Sequence, residues 1–182
     1  MTDEIIVGLD VGSTHVRVAV GKMAKEGDKQ LLHIIGIAQQ EAEGVNRGEI
    51  TSIDDAVKSV SKALEKVERK TGVPIESAWV GISGTHILPQ ESKGVVAVSK
   101  VDGEISEEDI ERAIEAAKTV TTPPNHEILH VIPRNFVIDG QAGIKDPVGM
   151  TGVRLEVDTY IIQGLSSQIK NITKTVYQTG LD

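Results

Sequence analysis

Cysteine is absent from the 182 residues, and only four are aromatic: Trp79, Phe136, Tyr160 and Tyr177. Without cysteine there is no disulfide framework, no thiolate zinc site and no cysteine nucleophile, a composition that fits a reducing compartment. With so few aromatics the core must be built from Val, Ile, Leu and Ala, and β-branched residues favour sheets. Long apolar runs are missing too: stretches such as Ile5–Leu9 and Ile161-Ile162 fall far short of the roughly 20 residues of a membrane helix. The acidic start Thr2-Asp3-Glu4 stands where a secretory signal is basic. A soluble, cytoplasmic protein is expected. Nor is there a basic excess, since 27 acidic side chains outnumber 19 basic ones and leave a net charge of −8. That balance works against binding nucleic-acid phosphates. The length suits one large domain or two small ones, and no internal repeat or low-complexity tract is visible.

What is present reads as alternating strands and helices. Ile5–Leu9 is a continuous apolar run, the sign of a strand buried on both faces; Val16, Val18 and Val20 alternate with Arg17 and Ala19; Leu31–Ile37 is a third run. Gly12-Ser13 and the polar stretch Lys25–Lys29 supply turns. Ser52 and Asp55 form a capping-box-like pair ahead of a helix whose apolar face is Ile53, Val57, Val60, Leu64 and Val67, stopped by Gly72 and Pro74. Ala78–Ile82 is a fourth strand arriving by a crossover, as in a mixed α/β sheet. After Ser83-Gly84 the pattern restarts. Val95–Val98 is a strand. Ser106 caps a second helix, Ile105 stapling to Ile110, with Ile114, Ala117 and Val120 along its face and Thr121-Thr122-Pro123-Pro124 at its end. Strands at Ile128–Ile138 and Val153–Ile162 flank a glycine-rich loop, Gly140–Gly152, whose Ile144, Val148 and Met150 are expected to pack against a neighbour. Ser166 or Ser167 caps a third helix carrying Ile169, Ile172 and Val176, stopped by Gly180. The abrupt end at Leu181-Asp182 suggests a fragment. Residues 85–164 therefore read as a strand, helix, strand, strand unit inserted between 1–84 and 165–182.

Three segments hold residues with chemical potential. In Gly8-Leu9-Asp10-Val11-Gly12-Ser13-Thr14-His15-Val16-Arg17 a carboxylate ends a buried strand and a tight glycine and hydroxyl turn follows. Gly12 allows close backbone approach, turn amides and the Ser13 or Thr14 hydroxyl suit phosphate oxygens, and Asp10 suits a hydrated Mg²⁺. An ordinary hairpin turn has the same composition. His126-Glu127-Ile128-Leu129-His130 spells the H-E-x-x-H zinc signature, but the preceding prolines and the strand-like residues around it deny it the helix it needs. With 126 and 130 on one face of a strand, the two histidines lie about 13 Å apart. The acidic cluster Asp102, Glu104, Glu107, Glu108, Asp109 and Glu111 opens the second helix, where negative charge complements the helix dipole, or else offers an acidic docking patch. His33 and His86 read as structural.

The sequence resembles the N-terminal portion of the FtsA family of actin-like bacterial cell-division proteins. The likeness rests on Gly8–Ser13, on Gly81-Ile82-Ser83-Gly84-Thr85-His86-Ile87, and most specifically on Glu127–Arg134, Val137–Gln141, Gly143–Met150 and Gly152–Val157. It implies an actin-like, ribonuclease H-like mixed sheet (α/β, or α+β) with an inserted SHS2 subdomain at 85–164. It also implies a first phosphate turn for ATP and Mg²⁺ at Asp10, Gly12, Ser13 and Thr14. His15 stands where the family often has lysine, and a largely neutral imidazole binds phosphate less strongly than an ammonium, although Arg17 on the same strand face can compensate. Family members bind ATP between two halves, polymerise, hold FtsZ at the membrane through a C-terminal amphipathic helix and meet other division proteins through the insert. The resemblance thus implies a scaffold at the inner face of the membrane at the division site, without nucleic acid, and half of a nucleotide cleft that hydrolyses ATP poorly or not at all. A pilus-assembly actin-like adaptor, an actin-fold small-molecule kinase and a zinc peptidase are the rival readings.

Overall fold

The computed structural model describes residues 4–27, 29–119 and 122–181, so Val120 and Thr121 of the expected second helix lie outside the described residues. The chain divides into two compact units: one runs up to His86 and resumes at Ser167, and the other is Ile87–Ser166. Among the described residues no helix is long and apolar enough to cross a membrane.

The first unit is a mixed four-stranded sheet. β1 (Ile5–Val11), β2 (His15–Glu26) and β3 (Lys29–Glu41) form an antiparallel meander, and β6 (Trp79–Gly81) adds parallel to β1, giving the order β3-β2-β1-β6. A small hairpin, β4 (Val45–Asn46) with β5 (Glu49–Ile50), precedes α1 (Ile53–Thr71). The Ser52 hydroxyl accepts from the Asp55 amide at 3.4 Å and donates to the Asp55 carboxylate at 2.8 Å, which satisfies the helix start. At the far end Gly72 adopts φ 69° and its amide closes on Glu68 O. Val7, Leu9 and Val11 pair with Val20, Val18 and Val16, so one sheet face carries six buried aliphatics against α1 and α3 (Ser166–Tyr177).

Two expectations change here. β1 is buried on that face alone, because both helices pack on the same side: Ile6, Gly8 and Asp10 are only half-buried, and on the opposite face Trp79 is 79% exposed. The α1 contact is also centred differently, on Ala56, Ser59, Val60, Ala63, Leu64 and Val67, with Val57 half-buried. Small alanines let helix and sheet approach closely, and Gly36 lies directly under Val67 and Thr71.

The second unit is an antiparallel sheet in the order β7-β10-β8-β9, from β7 (Ile87–Ala97), β8 (His126–Ile138), β9 (Gln141–Ile144) and β10 (Arg154–Leu165), with α2 (Glu107–Ala117) on one face. Ile105, Ala113, Ala117, Phe136, Ile138, Leu155 and Val157 form its core. β7 begins eight residues earlier than the Val95–Val98 run predicts. Polar Gln90–Lys93 still pairs along β10, and the Ser92 hydroxyl donates to Ala117 O at 2.8 Å.

The 140–152 loop is tied down by backbone hydrogen bonds and by the Asp139 carboxylate, and only part of its expected apolar packing forms. Ile144 packs on the core, but Val148 and Met150 are 46% and 37% exposed. The ties are the Ile105 amide to Met150 O at 2.9 Å, the Gly152 amide to Gly103 O at 2.9 Å, and the Asp139 carboxylate accepting from the Val153 and Arg154 amides. Asp109, read in sequence as one of a solvated acidic cluster, is fully buried instead. Its carboxylate accepts from the Ser106 amide and hydroxyl at 3.0 and 2.9 Å, from the Ser99 amide at 3.1 Å and from Arg112. Burial pushes its pKa up, and these hydrogen bonds outweigh burial and hold it well below the usual carboxylate range.

Candidate functional site

β1 and β6 run parallel with Asp10 opposite Gly81, so their carboxyl ends meet at one edge of the first sheet, the place where open α/β sheets hold ligands. The turn Gly12–Thr14 lies at that edge. It is a closed loop: the Gly12 amide donates to His15 O at 3.1 Å, and the Ala42 amide donates to Thr14 O at 2.9 Å. A Cβ at Gly12 would stand 2.9 Å from His15 O, so only glycine fits. Among the described residues the Ser13 and Thr14 amides donate to no other group, and both residues are exposed. The Ser13 Oγ accepts from the Gly48 amide at 2.9 Å, which fixes the oxygen and leaves its proton to donate elsewhere.

The six predicted residues do come together around this turn, with one change of role. Arg17 Nη1 lies 3.0 Å from Asp10 Oδ2, both side chains about half exposed (51% and 50%). Arg17 is therefore committed to the carboxylate and is not a free replacement for a phosphate-binding lysine at His15. Both partners still border the turn, 3.7 and 3.9 Å from the place a Gly12 Cβ would take. Free amides, a fixed hydroxyl and a carboxylate beside a glycine turn are a donor set that fits a phosphate with its hydrated Mg²⁺.

Sequence reasoning missed the second half of the arrangement. The β4–β5 hairpin turns through Arg47 and Gly48, with φ 51° and 79°. Gly48 presses on the loop after β6: a Cβ there would stand 2.0 Å from Ser83 O, and one at Gly84 would stand 2.9 Å from Arg47 O. The Thr85 hydroxyl donates to Glu49 Oε1 at 2.9 Å. His86 is buried, and neither ring nitrogen has a partner among the described residues. The turn, the hairpin tip and the 83–86 loop thus form one junction. Its only sequence signal is Val45 and Ile50 flanking a turn-like Arg-Gly pair.

The other sequence motif separates. In β8 the register on β10 slips between His130, opposite Ile162, and Ile128, opposite Gln163, so Leu129 is an extra residue. His126, opposite Leu165, then falls on the other strand face from His130 rather than on the same one. Histidines on opposite faces share no metal.

Comparison with known proteins bears on this architecture. Residues 84–163 match the family described as the SHS2 domain inserted in FTSA. The cell division protein FtsA of Bacillus subtilis (strain 168) is 39% identical over 180 residues, 99% of this chain and 40% of that protein. FtsA of Borreliella burgdorferi is 40% identical over 180 residues, 99% of this chain and 43% of that protein. The chain thus spans about two fifths of the length of these relatives. Among solved structures, a PilM-PilN type IV pilus biogenesis complex covers 97% of this chain and 45% of its own at a TM-score of 0.59 and 10% identity, a likeness of fold alone. The resemblance to FtsA read from the loop motifs holds along the chain, and the fold is an actin-like mixed α/β sheet with an SHS2 unit in its sequence.

Proposed function

We propose that this chain, related along its length to the cell-division protein FtsA, is part of a bacterial division scaffold. Its first unit holds MgATP at the turn between β1 and β2, and its second unit meets other division proteins. The observation that carries the nucleotide reading is the turn itself: unpaired amides at Ser13 and Thr14, a hydroxyl fixed by the Gly48 amide, and Asp10 beside a glycine that leaves room for phosphate oxygens. Mg²⁺, when bound, offsets phosphate charge. Asp10 would accept from its water shell, with Arg17 orienting the carboxylate at 3.0 Å. With Asp10 paired to Arg17, the chain alone is read as binding ATP without turning it over. For the assembled scaffold, FtsZ anchoring, self-association into filaments and residence at the inner face of the membrane are part of the same proposal, as the family resemblance implies.

A chimera tests this. In cells depleted of their own FtsA, B. subtilis FtsA carrying this chain in place of its matching segment should restore septation. The same chimera with Asp10→Ala should leave long, undivided cells. Failure of the first chimera despite normal protein levels would overturn the division reading, and full activity of the second would remove Asp10 from the site.

A further inference from the structure

We propose that Arg47 is a phosphate ligand of the same site, supplying from the β4–β5 hairpin the positive charge that the turn itself lacks. The proposal rests on the reading that the turn binds nucleotide phosphate. That turn has no free cation of its own: Arg17 is held by Asp10 at 3.0 Å, and His15 carries an imidazole rather than an ammonium. A phosphate chain needs a compensating charge, and an arginine fork matches phosphate oxygens better than any other side chain.

Arg47 is placed to provide it. The next residue, Gly48, gives its amide to Ser13 Oγ at 2.9 Å, so the arginine backbone is one peptide away from the phosphate turn. Its carbonyl lies against Gly84, which pins the hairpin tip. The side chain is exposed and makes no hydrogen bond or ion pair among the described residues. The position is also a strained one for arginine. A two-residue hairpin with positive φ at both central positions favours Asn-Gly or Gly-Gly, yet here a non-glycine residue with a bulky side chain holds φ 51°. Backbone strain without any structural partner in return is the signature of a residue kept for a ligand.

The test measures the affinity of the intact chain for MgATP, and separately for inorganic tripolyphosphate, by calorimetry at low ionic strength. It compares the wild type with Arg47→Lys and Arg47→Gly. The glycine variant removes the charge while easing the positive φ, so it does not lower the melting temperature through the backbone. The expected result is roughly tenfold weaker binding of both probes by Arg47→Gly, with an unchanged or higher melting temperature, and an intermediate loss for Arg47→Lys, which keeps the charge without the fork. Wild-type affinity in Arg47→Gly would overturn the proposal while leaving the phosphate turn intact. Weaker binding together with a lower melting temperature would overturn it by making Arg47 a structural residue. A wild-type chain that binds neither probe would overturn the underlying phosphate reading, and the proposal with it.

Discussion

The two units use the same kinds of residue for opposite ends. In the first, the left-handed positions Arg47 and Gly48 and the cramped Gly12 and Gly84 collect at one sheet edge and leave amides, a hydroxyl and a cation unsatisfied there. In the second, Gly103, Asp139 and Gly140 close a loop on itself, and every buried polar group on its helix cap is satisfied. A built interior spends its hydrogen bonds internally, whereas a binding edge holds some in reserve. The first unit therefore leaves donors unpaired at one edge, and the second pairs its own.

Substitutions at three positions break or sharpen that contrast, taken from the largest effect down. Gly94→Ala places a Cβ 1.8 Å from Ala113 O, where strand and helix backbones touch. It should destabilise the second unit by about 3 kcal/mol or more, seen as an early melting transition, while the first unit melts unchanged. A single transition shifted as a whole would mean that the units are not separate folding modules. Asp109→Ala removes the acceptor of the Ser106 amide at the α2 start and of the Ser99 amide after β7, and should cost about 2 kcal/mol in the same transition.

Asp109 also sets a pH dependence. Its folded pKa lies below its unfolded one, so the folded unit binds fewer protons. Its contribution is complete above about pH 4 and is lost as pH falls further. Acid titration of the Asp109→Asn variant should show a flatter loss of stability below pH 4 than wild type, and identical slopes would contradict the assigned role. The smallest effect belongs to the junction. Thr85→Val deletes an exposed hydrogen bond to Glu49 and should change stability by about 0.5 kcal/mol or less, yet it should loosen the 83–86 loop as read by faster amide exchange.

The split between the units also decides what could be read in advance. Local signals were legible: Ser52 with Asp55, Gly72, Ser106 as a helix cap, and the alternation of Val16, Val18 and Val20 all do in space what their spacing implies. The clustering at the β1–β2 turn was legible because glycine, hydroxyls and carboxylate lie within one short stretch. The junction was not, since Ser13 and Gly48 are 35 residues apart and no periodicity links them. Asp109 looked like its exposed neighbours because sequence carries no measure of burial. The polar start of β7 lacked an apolar alternation, and only its pairing with β10 makes it a strand. The bulge at Leu129 is likewise a tertiary fact, and it moved His126 to the face opposite His130.

The most direct test of the central claim is a titration of the isotope-labelled chain with MgATP, following backbone amides. The expected result is saturable movement of Gly12, Ser13, Thr14 and Gly48, lost in Asp10→Ala, with the second unit's amides unmoved. Movement confined to other residues, or none at millimolar nucleotide, would contradict a phosphate site at the β1–β2 turn.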